Sequence, residues 1–297
     1  MATTYRDVVA ARVQEHHEAL AARARGEKPK NFIPTGISKW DDNGGLEVGL
    51  LTVIGGPTGE GKSAVMMRLA KSAAKAGMKV LILSFEDPAG KTADRELANQ
   101  TGIGAHVLGR MAYDPKLLGQ LDAVAEEVAT WGGLVEFHAG LLSAGAALAA
   151  VAASDARLVM VDYAQALPDG DETRERMLAN FAWTLNDLAQ KKSQACVLFS
   201  QTRAEIEDRG QQVFLRNGTI DGYRPGPGKS DLAWARALGE RAKCLLYLFR
   251  PGRWGRNCGL QVKDDTMELI FVKVNFGLEG TVKAKWVGAS ASIEDMR

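Results

Sequence analysis

The residues best equipped to do chemistry stand in one run, Gly56-Pro57-Thr58-Gly59-Glu60-Gly61-Lys62-Ser63, followed by Ala64. The run is a full match to the GxxxxGK[ST] phosphate loop, whose glycines let backbone N–H groups turn inward around a β-phosphate. The lysine reaches the β- and γ-phosphates, the serine offers a hydroxyl to Mg²⁺, and the N-terminus of the next helix adds a favourable dipole. The alternative is a Gly-rich turn between a strand and a helix. The flanks favour the first reading. The apolar run Leu50 to Ile54 enters the loop. A helix beginning near Lys62 leaves it, with Val65, Met66, Leu69 and Ala73 at core spacing and Arg68, Lys71 and Lys75 outside. Residues 56–64 therefore read as a site for a nucleoside triphosphate with Mg²⁺.

Polar residues close three other apolar runs. Val80 to Phe85 is followed by Glu86, Asp87 and Pro88. Asp87 stands before a proline and a helix, so it reads as an N-cap with Pro88 at the first helical position. Glu86 has no such role and reads as the base that orients an attacking water, at the carboxyl end of a strand next to the phosphate-loop strand. Arg157-Leu-Val-Met-Val-Asp162 has the form of a Walker B strand, whose Asp holds the Mg²⁺ shell. Ala195 to Ser200 ends in Gln201, which either feels the γ-phosphate and reports it to the following loop or is a solvated strand end.

The elements that must position these residues alternate between short strands and helices, the pattern of a mostly parallel sheet covered on both faces. The expected strands are Leu50 to Ile54, Val80 to Phe85, Leu134 to His138, Leu158 to Asp162 and Cys196 to Ser200. Helices are expected over Ser63 to Ala76, Ala89 to Gln100, Pro115 to Thr130, Ala144 to Ala153 and Glu172 to Lys191. After the Gly/Pro-rich stretch Asn217 to Lys229 come a helix, Asp231 to Lys243, and three strands, Cys244 to Phe249, Leu269 to Val274 and Thr281 to Val287. The last two form an antiparallel hairpin through Asn275 to Gly280. Ahead of all this, Thr3 to Arg25 reads as a helix with a small apolar face of Val8, Val9, Val13 and Leu20, broken by Gly26 to Pro34. It is either a frayed tail or an arm that docks on a neighbour. The expected division is a leading helix, residues 1–30, and one α/β domain, residues 31–297.

The whole-chain numbers narrow the classes. In 297 residues, 37 Lys plus Arg face 36 Asp plus Glu, leaving a formal charge of +1, which excludes a globally basic nucleic-acid coat. With 46% apolar and 25% charged residues the chain can bury a sizeable core. Cys196, Cys244 and Cys258 are widely spaced with no CxxC pair, so neither a disulfide framework nor a zinc site is indicated. No apolar stretch reaches the ~20 residues of a spanning helix, and no secretory signal opens the chain, so the expected address is the cytoplasm.

Together these features resemble the RecA-type ATPase core, and details narrow the resemblance to the ATPase domain of DnaB-type hexameric replicative helicases. The details are Ile33-Pro-Thr-Gly36-Ile-Ser-Lys-Trp40, Gly44-Gly45-Leu46 and Gly49; Ser84-Phe-Glu86; Asp162-Tyr163-Ala-Gln165; Ser200-Gln201 with Arg203; Ser230-Asp231-Leu232; and Tyr247-Leu-Phe-Arg250. The fold class implied is a RecA-like P-loop core with a C-terminal antiparallel hairpin behind a linker helix. The resemblance further implies a homohexameric ring with ATP between neighbours and single-stranded DNA in the central channel. Lys62, Ser63, Glu86, Asp162 and Gln201 would form the site in cis.

Arg203, Arg209, Arg216, Arg224 and Lys229, interspersed with Glu205, Glu207, Asp208 and Asp221, would face the pore. A solvated loop of mixed charge is the competing reading of each. Two departures stand out. Only the leading helix precedes the core, where the family carries a primase-recruiting domain. Lys273-Val274-Asn275-Phe276-Gly277 keeps the family's hairpin lysine, Lys273, but has Asn275 in place of its trans-acting arginine. Asn cannot supply that charge, leaving Lys273, Arg250 or a basic residue of Arg253-Trp-Gly-Arg256 to compensate. The expected function is an ATP-dependent DNA helicase or translocase, with replication proteins such as a loader as further partners. The rival is a RecA-fold assembly or signalling module that does not unwind. A filament-forming recombinase would need a polymerisation motif that the sequence does not display.

Overall fold

Five apolar runs of five or six residues lie side by side, and their burial on both faces explains why they read as near-continuous apolar stretches. In the computed structural model of the chain, the residues described are 4–25, 32–85, 88–104, 108, 115–140, 143–162, 173–202, 215–216, 219–220, 236–257, 259–261, 263–274 and 280–296. The leading helix α1 spans Tyr5–Ala24, and a short ladder pairs β1 (Phe32–Ile33) with β2 (Leu46–Glu47) around α2 (Ser38–Asp42). There follow β3 (Leu51–Gly55), α3 (Lys62–Lys75), β4 (Val80–Ser84), α4 (Ala89–Thr101), α5 (Pro115–Ala129), β5 (Val135–Ala139), α6 (Ala144–Ala153) and β6 (Leu158–Asp162). Then come α7 (Arg174–Lys192), β7 (Ala195–Ser200), the two-residue strands β8 (Leu215–Arg216) and β9 (Thr219–Ile220), and α8 (Arg236–Arg241). The last elements are β10 (Cys244–Phe249), α9 (Pro251–Asn257), β11 (Thr266–Lys273), β12 (Gly280–Val287) and β13 (Ser292–Asp295).

The main sheet has nine strands in the order β13-β12-β11-β10-β3-β7-β6-β4-β5. From β10 to β5 every pairing is parallel, and from β10 to β13 every pairing is antiparallel. The sheet therefore has the expected parallel body and antiparallel C-terminal extension, with β13 added beyond the expected hairpin. One expectation about placement is corrected. The Glu86 strand, β4, does not lie next to β3; β7 and β6 stand between them, because the chain crosses over to the far side before returning.

Side chains alternate across the strands, and each face has its own core. Ile54, Ile82, Met160, Val197, Phe199 and Leu246 pack under α3, which buries Val65, Met66, Leu69 and Ala73 as its spacing predicts. Val53, Leu81, Leu83, Val159, Leu198 and Leu245 pack against α6, α7 and α8 through Ala147, Val151, Phe181, Leu185 and Leu238. Each fully buried large side chain contributes about 1.5–3 kcal/mol relative to exposure. Arg68 and Lys71, expected outside, are partly buried. Arg68 Nε donates to the Gly36 carbonyl at 3.1 Å, and Lys71 pairs with Glu96 of α4 at 2.8 Å. On α1, Tyr5, Val9 and Val13 face solvent. Among the described residues, no helix is long and apolar enough to cross a membrane.

Candidate active site

The parallel strands end together, which brings their terminal residues to one edge. Gly55 pairs with Ser200 and with Tyr247, and Ser84 pairs with Asp162. The loop after β3 thus lies between the strand ends that carry Gln201 and Arg250, with Asp162 beyond. A cleft of about 410 Å³ opens there, lined by Thr58, Gly59, Gly61, Lys62, Ser63, Ala64, Arg95, Asp162, Gln201, Arg250, Trp286 and Ala291. It brings together Thr58, Gly59, Gly61, Lys62, Ser63 and Ala64 of the predicted loop with the predicted Asp162 and Gln201.

The loop has the backbone shape its glycines allow. Gly59 and Gly61 adopt positive φ of 76° and 102°. At Gly61 an added Cβ would stand 2.5 Å from Met267 Cε and 2.9 Å from the Trp286 ring, so β11 and β12 pack to within a hydrogen's width of the loop. Lys62 starts α3, and its ammonium donates to the Gly56 and Pro57 carbonyls at 2.7 and 2.9 Å.

Not every residue of the 56–64 run faces the cleft. The Gly56 N–H is spent on the Ser200 carbonyl at 3.1 Å, Pro57 has no N–H, and the Glu60 N–H is directed at the Pro57 carbonyl at 3.3 Å. Glu60 also turns its side chain into the protein, where it meets Arg250, Arg253 and Trp254. These three positions of the expected nucleotide-binding run shape the loop and are not among the residues that line the cleft. The amides of the remaining residues and the Lys62 ammonium form the donor set that suits a polyphosphate.

The family model of the DnaB-like helicase C-terminal domain matches residues 33–295. The chain belongs to that family. A probable plasmid replicative DNA helicase of Chlamydia trachomatis is 26% identical over 254 residues, which make up 82% of this chain and 52% of that protein. The chain thus spans about half the length of the curated relatives it matches. A solved ATPase domain superposes on it with a TM-score of 0.80 at 17% identity over the whole of both chains. A DnaB-like replicative helicase, solved in a study of its interactions with primase, gives 0.78 at 17% identity over all of this chain and 68% of that one. A RadB recombinase gives 0.55 at 16% identity over 90% of this chain and all of that one. These likenesses fix the fold as that of a RecA-like ATPase domain.

Within this DnaB-like domain, three of the basic residues expected as stand-ins for the missing arginine, Arg250, Arg253 and Arg256, are engaged within the chain. Arg250 pairs with Asp264, stacks its guanidinium 3.8 Å from the Trp286 ring centroid and donates to the Gly59 carbonyl at 2.9 Å. Arg253 pairs with Glu60, and Arg256 with Asp264 at 2.6 Å. Lys273 is placed differently. It ends β11 opposite Leu245, at the edge of the sheet away from its own loop, and donates to the Gly239 carbonyl at 3.2 Å.

Sequence reasoning missed Arg95, Trp286 and Ala291 as cleft residues. Trp286 shares one strand face with the buried Val282 and Ala284, alternating with the exposed Lys283 and Lys285, and so reads as core. Arg95 lies mid-helix in α4 with no motif to mark it. Glu86, Asp87, Tyr163, Gln165, Arg203, Arg209, Arg224, Lys229, Ser230 to Leu232 and Asn275 to Gly277 lie outside the described residues. For Arg216 only the backbone is described, paired with Thr219. Helix α4 begins at Ala89 with Pro88 as its N-cap, one position later than the Asp87 cap predicts. The described thiols Cys196 and Cys244 are both pushed up to about 12, chiefly by burial, which suits inert core residues.

Proposed function

We propose that the chain is the motor domain of an ATP-dependent DNA helicase or translocase that assembles as a ring, with six subunits the favoured number, and moves along single-stranded DNA in replication. The observation that carries the reading is the convergence of Lys62, Ser63, Asp162 and Gln201 in one cleft of a DnaB-like fold. In this account Lys62 binds the β- and γ-phosphates. Glu86 orients and deprotonates the attacking water, and Gln201 reports the γ-phosphate to the loop that follows.

Ser63 and Asp162 would hold Mg²⁺, which neutralises phosphate charge when bound. Phosphate oxygens and water would complete the ion's shell, as is usual for Mg²⁺ at a nucleotide. Lys273, turned from its own loop, is the group suited to act on the nucleotide of a neighbouring subunit. Arg203, Arg209, Arg216, Arg224 and Lys229 line the channel and hold the DNA backbone. Residues 1–30 form a docking arm and 31–297 the motor. Such a domain works in the cytoplasm, where a loader or other replication proteins would meet it.

The rival, a nucleotide-binding module without unwinding, draws support from Asn275 and from the engagement of Arg250 and Arg253 within the subunit. Native mass and a forked DNA substrate separate the two. The motor gives an ATP-stabilised ring that unwinds the fork. Nucleotide binding with no strand displacement by the assembled ring favours the module.

A further inference from the structure

Glu60 is a carboxylate inside a loop built to hold phosphate, and its side chain is fully buried. Both oxygens are satisfied. Oε1 accepts from the Arg250 backbone N–H and from the Trp254 indole N–H, the latter at 3.2 Å, and Oε2 accepts from the Arg253 guanidinium. The other arm of the Arg253 guanidinium donates to the Thr58 carbonyl at 3.0 Å. One planar fork thus grips the loop at two places, its backbone and its acid. The corner between β10 and α9 that carries these groups is itself fixed. A Cβ on Gly252 would stand 2.0 Å from the Lys263 carbonyl oxygen, so the next segment lies directly against it.

We propose that Arg253 is a positioning residue for nucleotide binding and acts through Glu60: the pair shapes the phosphate loop and cancels a carboxylate that would repel the triphosphate. The inference rests on the reading of residues 56–64 as the nucleotide site. A buried ion pair that loses one member leaves an uncompensated charge, which costs far more than the pair was worth. Here that charge would lie in the loop itself. Burial alone raises the Glu60 carboxyl above its ordinary range, and Arg253 and then Arg250 offset this in part, so Arg253 is the main partner that keeps the group accommodated.

The test is a double-variant cycle on the full chain, titrated with a fluorescent ATP analogue and Mg²⁺. Binding by the wild type and its loss in Lys62→Ala establish the site; without these the nucleotide reading falls, whatever Arg253 does. Given them, Arg253→Gln is expected to weaken binding roughly tenfold or more in the wild-type background. In the Glu60→Gln background the same change is expected to cost less than about twofold, because no charge remains to be cancelled. Equal losses in both backgrounds would mean that Arg253 touches the nucleotide directly and would overturn the proposal, as would no loss in the wild-type background. If Arg253→Gln does not fold, Arg253→Lys, which keeps the charge but not the fork, is read in both backgrounds. A loss confined to the wild-type background supports the pairing, and any other pattern overturns it.

Discussion

At the scale of single residues, the account assigns separable roles to binding and to chemistry. The proposed role of Lys62 is to bind phosphate, so Lys62→Ala should remove a charge-assisted contact of about 1.5–3 kcal/mol, roughly ten- to a hundredfold in the Kd for ATP. Glu86→Gln should bind ATP within about twofold of the wild type while hydrolysis falls by about 10²–10⁴. Equilibrium titration beside single-turnover hydrolysis reads both, and normal hydrolysis by Glu86→Gln would remove Glu86 from its role. Gly61→Ala tests the loop's shape. Its φ of 102° and the 2.5 Å approach of Met267 Cε leave no room for a methyl group. The variant should lose about 1–3 kcal/mol in chemical denaturation and bind ATP more weakly. Lys62 and Ser63 were readable in the sequence because phosphate-loop chemistry fixes residue types at fixed spacings, and Asp162 and Gln201 because each closes an apolar run. The inward turn of Glu60 was not, since its partners Arg250, Arg253 and Trp254 come from about 190 residues further on.

At the scale of elements, the helices over the phosphate-loop face are tied by a polar network as well as by the core. Glu127 of α5 accepts from Gln100 of α4 at 2.6 Å and from Trp131 at 3.1 Å, and it pairs with Lys75 of α3. Burial would raise its carboxyl, but these hydrogen bonds and the nearby Lys71 charge outweigh it and hold the group at about 2. A carboxyl depressed in the folded state stabilises above its unfolded value near 4.5 and loses that contribution as pH falls through the folded value. Glu127→Gln should therefore lower stability at pH 7 by about 1 kcal/mol, discounted for partial exposure, and the deficit should shrink between pH 4.5 and 2. Urea midpoints across that range provide the check.

The buried parallel strands were legible within about a residue at each end, because an apolar run of five or six has no other stable place. Several shorter elements were not, α9 and β13 among them. Helix α9, Pro251–Asn257, contains two glycines and so has poor intrinsic propensity; Trp254, buried and bonded to Glu60, holds it in place. Strand β13, Ser-Ile-Glu-Asp, reads as polar and is defined by its pairing with β12 and by the bonds from Ser38 to Asp295. The position of β4 beyond β7 and β6 was hidden for another reason. Strand order is set by crossovers, which local pattern does not encode.

At the scale of the molecule, a formal charge of +1 places any DNA contact in a restricted region rather than over the surface. The account locates it between Gln201 and Asp231. Arg209→Glu combined with Arg224→Glu should therefore weaken single-strand binding and flatten its dependence on salt, with ATP affinity unchanged. Fluorescence anisotropy across a salt series measures this, and an unchanged slope would move the contact elsewhere. The placement of Lys273 away from its own loop adds a further requirement: turnover should depend on assembly, because one subunit would complete its neighbour's site. The central claim is that ATP hydrolysis in this chain is coupled to single-stranded DNA within a ring. Its most direct test is the steady-state ATPase rate with and without single-stranded DNA, taken on material whose native mass is measured in the same buffer. The account predicts a ring whose turnover rises at least about tenfold with DNA, a change of 1.4 kcal/mol in the barrier. A ring that binds ATP but turns over at the same rate with and without DNA would contradict it.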